Sequence, residues 1–139
     1  MKYLGIDYGT KRVGVAFSDD GGTLAFPKEI IKNGQDLMKN LGAIIKEENI
    51  NEIVVGESMD LNNLENKIQK EIKVFVKKME EDFKLKVHMQ KEFMTTIEAR
   101  GREGKEKNDA RKTKIIQNKE IDASAAALIL QRYLDKINN

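Results

Sequence analysis

Gly5-Ile6-Asp7-Tyr8-Gly9-Thr10-Lys11-Arg12-Val13-Gly14 is the stretch on which the reading of this chain turns. Leu4 and Ile6 share a period-two face, so Lys2–Asp7 predicts a strand ending on a carboxylate. The chain turns through Gly9 and returns as a second strand, Lys11–Ser18, in which Val13, Val15 and Phe17 alternate with smaller or polar residues. Charge at the end of a buried strand is costly without a partner, and a divalent cation is one such partner.

Outward from this pair the pattern is legible in order. Asp19-Asp20-Gly21-Gly22 signals a turn, and Thr23–Phe26, closed by Pro27, predicts a third strand. Leu37, Leu41, Ile44 and Ile45 give helical spacing within Gln35–Glu48. The unbroken run Ile53-Val54-Val55 within Asn51–Gly56 suits a strand buried on both faces. Apolar residues at steps of three and four make Leu61–Phe83 a long helix. Leu85, Val87 and Met89 then alternate with polar residues, as in a strand at a sheet edge. Thr95-x-x-Glu98 predicts the start of a short helix, residues 101–118 a loop with a helical turn near Thr113–Gln117, and Ile121–Ile137 the last helix. The alanines of that helix suit close approach to a sheet. The expected fold is α/β, a single domain over residues 1–139: a five-stranded mixed sheet, three strands antiparallel and then two parallel, with helices on both faces.

Composition excludes several classes. With 139 residues, 40% hydrophobic and 35% charged, the chain fits one soluble domain. It holds no apolar run of about 18 residues and no basic-then-apolar leader pattern, so no membrane association and a cytoplasmic location are expected. No cysteine and a single histidine, His88, rule out thiolate and multi-histidine metal sites. His88 falls on the polar side of its strand, which suits a structural role. Any metal held by oxygens alone would be magnesium or manganese. Net charge is +2, yet residues 100–119 carry eight Lys/Arg against three acids, or +5, leaving −3 elsewhere. Such a segment, with Arg111, Lys112 and Lys114, suits either a nucleic-acid contact or a solvated loop.

Parallel strands one, four and five would share a carboxyl edge, where ligands bind in such sheets. Asp7 ends strand one, Glu57 follows strand four, Glu92 follows strand five, and Asp122 lies in the first turn of the last helix. Asp19 and Asp20 fall at the opposite edge. Each of the four acids has a plainer reading: Asp7 as a turn residue, Glu57 and Glu92 as surface acids, Asp122 as a helix N-cap. As a group they suit a cation site, because the cation relieves their mutual repulsion. Two such ions can activate a water and stabilise the leaving oxygen of a phosphodiester. Lys11 and Arg12, beside Asp7, would meet a phosphate or lie on an ordinary surface.

The first stretch, together with Glu92-Phe93-Met94-Thr95-Thr96-Ile97-Glu98-Ala99 and the run Ile121–Leu134, closely resembles the YqgF family, also called RuvX. The resemblance implies a ribonuclease H-like fold and a nuclease that trims the 5′ end of precursor 16S ribosomal RNA; the family was earlier described as a Holliday junction resolvase. It implies Asp7, Glu92 and Asp122 as catalytic and magnesium- or manganese-binding residues. Two departures stand out. Lys91 and Phe93 replace the family motif's Asp and Arg, and Gly56-Glu57-Ser58 replaces Gly-Leu-Pro. Glu57 is thus expected to supplement the metal site. Precursor ribosomal RNA is the expected partner and a monomer or weak dimer the expected state. Branched DNA, which would call for a dimer, and a non-catalytic nucleic-acid-binding module are the alternatives. Asp-x-Gly-Thr also opens the phosphate loops of actin-like kinases, but those need two such domains.

Overall fold

A computed structural model describes residues 1–59, 67–93 and 117–139, and of residues 57–59, 67, 92–93 and 117–123 it describes the backbone alone. Its sheet is built around β1 (Tyr3–Tyr8), in the order β3-β2-β1-β4-β5. β2 (Arg12–Ser18) pairs antiparallel with β1 and with β3 (Ala25–Lys32), while β4 (Glu52–Met59) pairs parallel with β1 and with β5 (Lys86–Phe93). The helices are α1 (Leu37–Glu47), α2 (Lys67–Phe83) and α3 (Gln117–Asn138). The five strands, their mixed pairing and the edge position of β5 are as the sequence predicts.

Alternation along the central strands sends side chains into two cores. Leu4, Ile6, Val13, Val15, Ile53 and Val55 pack beneath α1 and α2 against Leu41, Ile44, Phe75 and Met79. Tyr3, Ala16 and Val54 face α3 and meet Ala126, Ile129, Leu130 and Leu134. Helices therefore cover both faces, and each buried Leu or Ile contributes about 1.5–3 kcal/mol.

α3 lies close to the sheet because the strands beneath it have glycines. A Cβ on Gly5 would stand 2.7 Å from Leu130 Cβ and 3.1 Å from the Ala126 carbonyl oxygen. A Cβ on Gly56 would stand 2.3 Å from Ile129 Cδ1. Ala126 is fully buried, as the alanine-rich helix predicts, but the sheet glycines do as much to allow the approach.

Several boundaries differ from expectation. The third strand is Ala25–Lys32, running through Pro27 instead of ending there. It is an edge strand, and the register shifts between Val15 and Ala16 where Pro27 pairs, so the missing N–H is tolerated. β4 and β5 extend past Gly56 and Met89 because they satisfy each other's backbone groups beyond the end of β1, pairing Glu57 with Lys91 and Ser58 with Glu92. Glu57 and Glu92 are thus the strands' own residues and do not follow them. α1 starts at Leu37 and not at Gln35. α3 starts at Gln117, so residues 117–118 are helical and not loop. Polar residues precede its apolar stripe, which hides the first turn from a periodicity reading. The expected helix over 61–66, the short helix at Thr95 and the loop over 101–116 lie outside the described residues. Among those described, no helix is long and apolar enough to cross a membrane.

Candidate active site

Asp7 is the fifth residue of β1, paired with Gly14 on one side and Gly56 on the other. Of the Asp-x-Gly pattern only Gly9 lies in the turn, and the turn-residue reading of Asp7 falls. Half-buried, it is flanked in the sheet by two residues without side chains. With Gly9, Thr10, Lys11, Arg12 and Gly14 it lines a cleft of about 270 Å³. The turn that forms this cleft is tight: a Cβ on Gly9 would stand 2.5 Å from the Arg12 carbonyl oxygen. Asn33 fastens it, its Nδ2 donating to the Gly9 carbonyl at 2.7 Å and its backbone N–H to that of Lys11 at 2.9 Å. Lys11 and Arg12, both exposed, thus stand in one cleft with Asp7, as the sequence predicts.

The other acids are located by backbone. Through β4, Asp7 is level with Gly56 and Gly56 with Gln90, so Glu92 lies two residues further along β5 on the same alternation as Asp7. Glu57, next to Gly56, falls on the other alternation. Asp122 is the sixth residue of α3, which removes the N-cap reading. α3 runs from the carboxyl end of β1 toward its start: Ala126 and Leu130 lie over Gly5, Tyr133 beside Tyr3, and Asn138 Nδ2 donates to the Gly22 carbonyl. Asp122 is one helical turn before Ala126, a step of ~6 Å, and Asp7 is two strand residues beyond Gly5, ~6.6 Å. Measured from Leu130, which also lies over Gly5, the step to Asp122 is ~12 Å, so positions 7 and 122 both lie on the carboxyl-end side of Gly5, one on the sheet and one on the helix above it.

Arg111, Lys112 and Lys114 lie outside the described residues. Among the described ones no three His, Cys, Asp or Glu side chains form a metal-binding group, and of the four acids only Asp7 has its side chain among them. His88 takes the structural role expected of it. Its Nε2 lies 2.6 Å from Glu52 Oε1 and its ring stacks on Tyr133 at 5.1 Å. Burial, and then the Glu52 charge, push the neighbouring Tyr3 hydroxyl above its ordinary pKa. The donor set left for the Asp7 edge is oxygen alone, which fits magnesium or manganese.

The family model described as "RuvX: Holliday junction resolvase" matches residues 1–136. The chain belongs to the RuvX family. Three RuvX relatives carry the name "Putative pre-16S rRNA nuclease". The one from Streptococcus thermophilus is 38% identical over 141 residues, covering 99% of both chains. That from Oenococcus oeni is 39% identical over 140 residues, covering 98% of this chain and 95% of its own. That from Nitratidesulfovibrio vulgaris is 35% identical over 137 residues, covering 97% and 94%. The observed sheet with helices on both faces is the ribonuclease H-like arrangement that the RuvX resemblance implies.

One functional signal escaped the sequence reading. Gly5 and Gly56 sit in otherwise apolar strands, where glycine weakens a strand unless something approaches closely. That signal would have predicted how near α3, and with it Asp122, comes to β1.

Proposed function

We propose that this RuvX chain is a magnesium-dependent nuclease that hydrolyses phosphodiester bonds in the 5′ extension of precursor 16S ribosomal RNA. The observation that carries the proposal is that Asp7 and Asp122 both lie beyond Gly5 toward the carboxyl end of β1, with Glu92 on the same strand alternation as Asp7. Asp7, Glu92 and Asp122 would hold the ion. Glu57, at the same edge but on the other alternation, would act as a supplementary acid of smaller weight. The bound cation supplies a polarised water and offsets charge on the leaving oxygen.

The chain's own groups do the rest. Three carboxylates without a cation would repel a phosphodiester, so the site is selective for the metal-loaded state. Lys11 and Arg12 share the Asp7 cleft and would bind and orient the backbone phosphate, with Thr10 as a hydroxyl donor. Gly14, which lines the cleft beside Asp7, leaves space there for that phosphate, whereas the space over Gly56 is filled by Ile129.

The test compares magnesium-dependent cleavage of precursor 16S ribosomal RNA by the wild type and by Asp7→Asn. The expected result is a shortened 5′ extension with the wild type and a rate lower by about a hundredfold or more with the variant. Equal cleavage by both would overturn the proposal. A four-way DNA junction belongs in the same assay, because the family model's description names that substrate. Cleavage of the junction alone would transfer the chemistry to DNA.

A further inference from the structure

A second cleft, of about 460 Å³, opens on the opposite face of the sheet from Asp7 but at the same edge. Its floor is the half-buried Tyr8 ring, backed by the buried Phe75 ring at a centroid distance of 4.8 Å. Its outer wall is α2, where Val74 is 68% exposed between Lys70 and Lys78, one helical turn to either side. Single exposed apolar residues are common, but this valine borders a cleft and stands between two lysines, a setting that suits a ligand apolar in the middle and anionic around it.

The charges of α2 point the same way. From Lys67 to Lys78 it carries five lysines against one glutamate, and Glu80, Glu81 and Asp82 then close it. No basic residue stands in its last turn. Acids at a helix carboxyl end oppose the macrodipole, so the helix dipole does not account for this order. The order does set the lysines toward the Asp7 edge, because α2 connects the carboxyl end of β4 to the start of β5.

The two clefts are also mechanically joined. Asp7 and Tyr8 are successive residues of β1 with opposite alternation. Asn33 lines the second cleft while its hydrogen bonds to Gly9 and Lys11 hold the turn that forms the first. With Nδ2 so engaged, its Oδ1 remains an acceptor. Glu71 lines this cleft too and accepts the Tyr8 hydroxyl at 3.5 Å. A carboxylate there repels phosphate and accepts from the N–H groups of bases, the N3–H of uracil among them.

We infer that this cleft is a subsite for one unpaired nucleobase of the substrate. The strand bends over the sheet edge, with a backbone phosphate at Asp7 and a neighbouring base against Val74 and the Tyr8 floor. Lys70 and Lys78 take the flanking phosphates. The inference deepens the nuclease reading and rests on it for the position of the phosphate.

The test measures binding of the whole protein to a ten-residue uridine oligoribonucleotide and to an abasic ribose-phosphate chain of equal length and charge. The wild type is expected to prefer the oligouridine by about tenfold or more. Val74→Glu, a change at a position open to solvent, is expected to lose most of that preference, with circular dichroism reporting that the fold is kept. Equal binding of both chains by the wild type would overturn the inference. So would an undiminished preference in Val74→Glu, or tighter binding of a uridine–adenosine duplex, whose paired bases cannot enter. Cleavage is read separately in magnesium. Base preference without cleavage of any RNA removes the nuclease and leaves the subsite as a binding element; cleavage without base preference removes the subsite and leaves the nuclease.

Discussion

Two aspartates in this chain have opposite surroundings, and the difference separates an acid that builds structure from the one proposed to hold the cation. Asp19 closes the turn between β2 and β3, its Oδ1 accepting from the backbone N–H groups of Thr23 at 2.7 Å and Leu24 at 3.1 Å. These bonds hold its carboxyl below the usual aspartate range. Its ionised form therefore stabilises the fold above the unfolded aspartate pKa, and that stabilisation is lost as pH falls through the lower, folded value. Asp19→Ala should melt below the wild type at neutral pH, and the gap should narrow as the solution is acidified. A gap independent of pH would show that the carboxylate charge is not what the turn uses. Asp7 lies in the middle of the sheet, with glycine on either side and a cleft of cationic and hydroxyl groups before it.

At the scale of elements, α3 decides the geometry. It carries Asp122, and its height above β1 is set by Gly5 and Gly56. Gly5→Ala must displace Leu130 or the Ala126 carbonyl, and overpacking of this kind costs about 1–3 kcal/mol. Urea unfolding should show that loss, and stability equal to the wild type would mean that α3 does not rest on β1 as described. The elements were mostly legible in the sequence, because period-two and period-3.6 patterns report burial directly. The misses fall where backbone pairing continues without an apolar signal. β3 runs through Pro27 on an edge that needs no donor, β4 and β5 extend together past the end of β1, and α3 begins in polar residues. Of the site, Asp7 with Lys11 and Arg12 could be read from one turn, since neighbours in sequence share a cleft. The second cleft could not be read, because it joins Tyr8, Asn33 and Val74 from three distant stretches.

Among the described residues, positive charge gathers at the edge where β1 ends: the cleft turn contributes Lys11 and Arg12, and α2 contributes Lys70 and Lys78. In the sequence, residues 100–119 hold +5 of a net charge of +2. Binding of RNA should therefore weaken with salt, with a log–log slope falling by about 0.7–0.9 for each phosphate contact removed. Neutralising Arg111, Lys112 and Lys114 together should reduce the slope by about 2–3. An unchanged slope would assign that segment to solvent.

Carboxylates from β1, β5 and α3 are proposed to share a cation, and thermal melting against magnesium tests this most directly. Magnesium at a hundred times its dissociation constant should stabilise the wild type by about 2.7 kcal/mol, as binding to the folded state alone requires. Asp7→Asn, Glu92→Gln and Asp122→Asn should each remove most of that gain, and Glu57→Gln a smaller part. A wild-type melting temperature indifferent to magnesium and manganese, or a full shift retained by Asp7→Asn, would contradict it.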